Sequence, residues 1–201
     1  LQNKGRDLVA AVQTMQRAGL EVQGGFIVGF DSDTPSIFQR QIDFIQRSGI
    51  VTAMVGLLQA PYGTKLYERM KGEGRLLEQF SGNNTDDTMN FVPRMDPELL
   101  HEGYRRILEG IYAPKAYYER VRTFLRMYDK SRFIRARLSY NEIMAFFRSI
   151  YVLGVRGKER LEYWRLFFWT LFRRPKLLPN AITLAIYGFH FRRICETYVG
   201  G

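Results

Sequence analysis

Cysteine is almost absent from this chain: Cys195 is the only one in 201 residues. An internal disulfide is therefore impossible, and so is a metal cluster held by several thiolates. Histidine is nearly as scarce, with His101 and His190 alone, too few for a metal site built on imidazoles. No uninterrupted apolar run approaches the roughly 18 residues that a membrane span needs. Leu1 to Asp7 is polar and charged, unlike a signal peptide. No Walker loop, GxSxG elbow, HExxH pair or dinucleotide fingerprint occurs. These absences lead us to expect a cytoplasmic chain, peripheral to a membrane at most.

What is present is a globular composition, 46% hydrophobic and 25% charged, enough for one sizeable core or two small ones. The net charge of +10 is unevenly placed. Through Leu100 there are 10 Lys and Arg against 12 Asp and Glu; from His101 onward there are 20 against 8. The second half therefore faces something anionic or carries a solvated basic surface.

The chain is organised around Gly24-Gly25-Phe26-Ile27-Val28-Gly29-Phe30-Asp31-Ser32-Asp33-Thr34-Pro35. Its nearly continuous apolar run predicts a parallel strand covered on both faces. Gly29 at the strand end lets backbone approach a ligand, and ligands of α/β sheets bind at such carboxyl ends. Asp33 or Thr34 is expected to cap the helix that starts at Pro35. Before this strand, Leu8, Val9, Val12 and Met15 predict a helix, with Gly19 ending it. After it, a helix with Ile37, Phe38, Ile42 and Ile45 on one face leads to a second strand, Val51 to Leu58. This is the βαβ rhythm of a parallel sheet. Two strands do not make a stable sheet alone, and the chain begins in mid-pattern without methionine, so further strands are expected upstream.

Beyond a short helix from Thr64 to Met70 and a polar loop from Ser81 to Thr88, the chain reads as helical. Asp96 caps a helix with Pro97 at its first position. Helices are predicted near 97–112, 114–130, 139–154, 158–173 and 176–198, the third capped by Asn141 or Ser139. Between Arg156 and Arg174 nine large apolar or aromatic residues are interleaved with arginines. Such a helix is buried in a core, or lies on an anionic membrane surface. Nucleic acid is disfavoured, because aromatic-basic interleaving alone does not specify it. Glu68, Glu73, Asp31, Asp33, Asp86 and Asp87 are candidate acids and bases, and Cys195 is expected to be a buried thiol.

The segments Gly24 to Thr34, Gln59-Ala60-Pro61-Tyr62-Gly63-Thr64-Lys65-Leu66-Tyr67 and Gly72-Glu73-Gly74-Arg75-Leu76 resemble the second half of a radical SAM barrel. With Asn90-Phe91-Val92-Pro93, Gly103 to Leu108 and Ile111-Tyr112-Ala113-Pro114, the chain is similar to cobalamin-binding radical SAM proteins carrying a C-terminal domain of unknown function. The resemblance implies α/β followed by all-α architecture. Residues 1–90 would be the C-terminal part of a (β/α) barrel with two or more parallel strands, and 91–201 a helical C-terminal domain.

It also implies that Gly25, Ile27 and Gly29 help seat the adenine of S-adenosylmethionine. Asp33 would match the acidic residue of the family's G-F-P-G-E-T turn, although Asp31-Ser32 replaces its Pro-Gly. Gln59 and Ala60 would lie near the adenosyl pocket, and Pro61, Gly63 and Thr64 would form a structural turn. The [4Fe–4S] cluster and the cobalamin would be held by the remainder of the parent chain, where a CxxxCxxC triplet is expected. No cofactor is expected on this piece alone. Self-association and a membrane surface or lipid-like substrate are the further partners considered. The competing reading is a non-enzymatic helical module that binds a protein, a membrane surface or nucleic acid.

Overall fold

The computed structural model describes residues 7–77, 89–129 and 140–199. The predicted 81–88 loop and the Ser139 cap lie outside them. Helix α1 (Leu8–Arg17) is capped by Asp7, whose carboxylate accepts the Ala10 N–H at 3.0 Å. Strand β1 (Gly24–Val28) follows, then α2 (Ser36–Ser48), β2 (Ala53–Leu57) and α3 (Lys65–Gly72). The strands pair in parallel, Gly25 opposite Met54 and Ile27 opposite Gly56. The sequence-predicted α/β half followed by an all-α half is thus observed.

Two local expectations are corrected. The strands are covered on one face only: Val28, Val55 and Leu57 are buried, while Ile27 is 47% and Met54 64% exposed. Among the described residues the sheet has only two strands, so its second face has no layer upon it. Pro35, with no side-chain cap, precedes α2. Asp33 does not cap that helix because its carboxylate turns back to the strand end.

Helices α4 (Pro97–Tyr112) and α5 (Pro114–Met127) each open on proline, with Asp96 capping the first. Next come α6 (Tyr140–Ser149), a π-helical segment (Ile150–Arg156), α7 (Arg160–Arg173), a short 3-10 turn (Pro175–Leu177) and α8 (Leu178–Val199). The break expected over Gly154 to Gly157 narrows to Gly157, since Gly154 lies within the π-helical segment. The wider π turn leaves the Gly154 carbonyl free to accept the Trp164 indole N–H at 2.9 Å. A Cβ at Gly154 would stand 3.1 Å from that ring.

One hydrophobic core runs through both halves, joining Val28 and Val55 to Ile107 of α4, Val121 of α5, Leu166 of α7 and Ala185 of α8. Helix α4 also closes the sheet. Tyr104 and Tyr112 donate their hydroxyls to the β2 carbonyls of Val55 and Ala53, at 3.3 and 2.7 Å. Those carbonyls point away from β1, whose own bonds to the β2 segment include Gly24 N–H to Thr52 and Leu58 N–H to Val28. The outer edge of β2 is therefore sealed by side chains, whereas β1 has no second strand beside it among the described residues.

Candidate functional site

The carboxyl ends of β1 and β2 meet a compact polar assembly. Gly29 adopts φ +104°, a conformation that suits glycine, and turns the chain out of the sheet. One carboxylate oxygen of Asp33 accepts the N–H groups of Gly29 and Phe30, both at 3.0 Å. The turn thus folds around its own anion, and these two donors are engaged within the chain.

Asp31 projects from the same turn into a group of guanidiniums. Arg75 donates two hydrogen bonds to it, at 2.7 and 3.1 Å, and Arg69 a third at 3.1 Å. Arg94 lies 3.8 Å away. The hydrogen bonds from Arg75, helped by the positive charges of Arg75, Arg94 and Arg69, hold the Asp31 carboxyl below the usual carboxylate range. Asp31 is therefore an anion at neutral pH and not a proton donor. Arg75 also binds Glu73 at 2.8 Å and donates its Nε–H to the Val92 carbonyl at 2.8 Å. A single guanidinium thus ties the turn after β1 to the segment that leads into α4.

Asn90 organises the end of β2. Its amide donates to the Ala60 carbonyl at 2.8 Å and accepts the Ala60 N–H at 2.9 Å. The Gln59 side-chain oxygen accepts the Asn90 backbone N–H at 3.2 Å. Leu58, Ala60, Met70 and Phe91 form a small second core beneath. Segment 75–77 pairs antiparallel with 90–92 alongside, through a Leu76–Phe91 bridge.

The six residues singled out from the sequence fall into three places. Gly25 and Ile27 lie on the uncovered face of β1, Gly29 and Asp33 shape the turn at its end, and Gln59 and Ala60 end the neighbouring strand. Gly25 needs no positive φ, and a Cβ there would meet no atom within 4 Å. Ala60 is fully buried with both backbone groups bound to Asn90, and Gln59 is half-buried with its side-chain oxygen on the Asn90 N–H.

Arg75 and Asn90 fall within the motifs that carry the resemblance, which assigns them no role, and Arg69 and Arg94 lie outside those motifs. Their partners lie up to 44 residues away, beyond what local spacing encodes. Burial pushes the Cys195 thiol up to about 11, which keeps it protonated and weakly nucleophilic. Among the described residues, no group of His, Cys, Asp and Glu is placed to hold a metal ion.

Residues 64–201 match the family model described as a domain of unknown function, DUF4070. The chain is 31% identical over 97% of its length to an uncharacterized methyltransferase of Synechocystis sp., covering 37% of that protein. It is 28% identical over 91% of its length to a hopanoid C-2 methylase of Rhodopseudomonas palustris, covering 35% of it. A bacteriochlorophyllide d C-12(1)-methyltransferase of Chlorobaculum tepidum is 28% identical over 59% of the chain and 26% of its own length. The chain thus spans about a third of the first two relatives. No solved structure matches. The chain belongs to the DUF4070 family, a C-terminal domain of cobalamin-binding radical SAM proteins.

Proposed function

We propose that this chain forms the closing strands and the helical wall of a radical SAM barrel in a longer methyltransferase. Its part there is to help seat S-adenosylmethionine against the open face of β1. The observation that carries this reading is Gly25. Neither its backbone conformation nor packing within the chain calls for glycine there, so the missing side chain leaves room for something laid on the sheet from outside. The sealed edge of β2 is consistent: α4 occupies it through Tyr104 and Tyr112, and further strands have only the β1 side to join.

The residues present fit a nucleoside on that face and do not fit an iron–sulfur cluster. The sole cysteine is a partly buried thiol on α8, so a [4Fe–4S] cluster, which needs several thiolates, belongs to other parts of the parent. When bound, S-adenosylmethionine supplies, on reductive cleavage, the radical that opens a substrate C–H bond. The chain's own contribution is positional. Asp33 fixes the backbone at the strand end, Gly25 and Ile27 present a flat apolar surface, and the Arg75 clamp holds the mouth in register. Relatives named as methylases support methyl transfer as the outcome.

The test is Gly25→Val in the parent protein. Valine is the better strand former, so thermal stability is expected to hold or rise. The dissociation constant for S-adenosylmethionine, measured by calorimetry, should increase at least tenfold through steric exclusion. Unchanged affinity with an intact fold would remove this face from the cofactor site.

A further inference from the structure

The second half carries an apolar surface that the core does not use. Tyr140, Met144, Phe147, Tyr151 and Val155 recur at helical spacing along α6 and the π-helical segment, and each is more than half exposed. On α7, Phe168 stacks on Phe172, which is 78% exposed. Ring contacts from Phe147 through the half-buried Phe146 and Phe167 to Phe168 link the two rows. Monomeric soluble proteins rarely leave apolar patches of this extent facing water.

Among the described residues from 148 to 176 the exposed charges have one sign. Every lysine and arginine from Arg148 to Lys176 is exposed. The two carboxylates in that span are withdrawn: Glu159 is buried against Arg192 at 2.5 Å, and Glu162 is paired with Arg165 at 2.7 Å. No helix among the described residues is long and apolar enough to cross a membrane. Aromatic rings with surrounding cations on helices that cannot span are the features of an interfacial surface. Arginine side chains reach phosphate while the rings enter the headgroup and acyl boundary.

From this we infer that the exposed face of α6, the π-helical segment and α7 docks on an anionic lipid bilayer, lying on it without crossing. The charge complementarity selects that occupant over a second copy of the chain, whose matching face would bring cations against cations. The inference does not depend on the cofactor reading, because binding to lipid needs neither cluster nor S-adenosylmethionine.

The experiment is co-sedimentation with vesicles, done on the 201-residue chain and on the parent protein. Vesicles of phosphatidylcholine with one-third phosphatidylglycerol should pull down both proteins at low salt, and pure phosphatidylcholine should bind at least tenfold more weakly. Phe147→Ser combined with Phe172→Ser should lower binding at least tenfold, and Arg160→Gln with Arg165→Gln about 10- to 30-fold. Circular dichroism and thermal melts check that each variant is folded. A single buried-core change serves as a control for loss of fold, with Leu166→Ala expected to lower the melting temperature. Absence of binding to phosphatidylglycerol vesicles overturns the inference. So does binding by the shorter chain but not the parent, which assigns the face to a contact inside the longer protein. If the Phe147 and Phe172 substitutions turn a dimer into a monomer and leave lipid binding unchanged, the face is a self-association surface and the inference again fails.

Discussion

Asp31 and Arg75 stand 44 residues apart in sequence and meet through two hydrogen bonds at the mouth of the two-stranded sheet. Both side chains are only 15% exposed. The pair spans the turn after β1 and the segment after α3, while the Nε–H of Arg75 reaches the Val92 carbonyl. One guanidinium therefore fixes three chain segments around the carboxyl ends of the strands. A lysine could not do this, having a point charge in place of a planar fork.

Replacing Asp31 by asparagine should cost about 1–2 kcal/mol at neutral pH, because the site is partly screened yet two-bonded. The sign of the pH dependence follows from the lowered Asp31 carboxyl. The folded value lies below the unfolded one, so the carboxylate's stabilisation is complete above the unfolded value. It is lost as the pH falls through the folded value. Urea unfolding of the wild type and Asp31→Asn should differ at pH 7 and converge once the pH is below both values. An equal gap in acid and at neutrality would show that the ion pair is not the source.

Asn90 offers a sharper test of the strand end. It is 5% exposed, and its amide is the partner of both backbone groups of Ala60. Asn90→Ala leaves a buried N–H and a buried C=O unpaired, at a cost of about 2–4 kcal/mol. Asn90→Asp keeps the acceptor but sets a carboxylate oxygen against the Ala60 carbonyl. It should destabilise at neutral pH and recover partly in acid, where a protonated carboxyl can donate. A urea midpoint that stays within experimental error for Asn90→Ala would mean that Ala60 finds other partners.

Much of this architecture was legible because the determinants are local. Asp7, Asp96, Pro97, Pro114 and Gly49 mark helix ends through capping and backbone chemistry, and β1 and β2 are apolar runs bounded by glycine and polar turns. The errors share a different cause. A run such as Phe26-Ile27-Val28 signals burial on both faces but does not say which chain supplies the second layer, so Ile27 stands exposed. Asp33 reads as a helix cap in one dimension. In space its nearer donors are the N–H groups of Gly29 and Phe30. The Arg75 clamp and the Asn90 brace were hidden because both depend on tertiary register.

Arg120 is another such residue, fully buried with no carboxylate partner among the described residues. Its guanidinium donates to the Gln46 side chain and to the Ile111 and Val51 carbonyls, at 2.5, 2.7 and 3.4 Å. It lies over the rings of Tyr112 and Tyr117. Burial pushes the group down to about 10. For this base the folded value is below the unfolded one, so the unfolded chain binds more protons between the two and the charge is a net burden at neutral pH. Even so, Arg120→Met should destabilise by about 3 kcal/mol, since it strands three acceptors that the arginine satisfies. Arg120→Lys should be damaging too, by about 1–3 kcal/mol, because one ammonium cannot match the fork. If Arg120→Met is neutral in guanidinium unfolding, packing and not hydrogen bonding governs this site.

The packing of α2 on α4 rests on Gly103, where an added Cβ would sit 2.3 Å from the Phe38 ring. Phe38 is itself buried, so the ring has little room to yield. Alanine is the better helix former by about 1 kcal/mol, and an exposed glycine in the middle of a helix would gain from the change. Here the clash should win and leave Gly103→Ala destabilised by about 1–3 kcal/mol. The double variant with Phe38→Leu supplies the decisive comparison. Leucine lacks the ring atoms that collide with the new methyl, so the pair should be more stable than the sum of the two single losses predicts, with a coupling above about 1 kcal/mol. Additive losses in denaturant unfolding would place the cost of Gly103→Ala elsewhere than in its approach to Phe38.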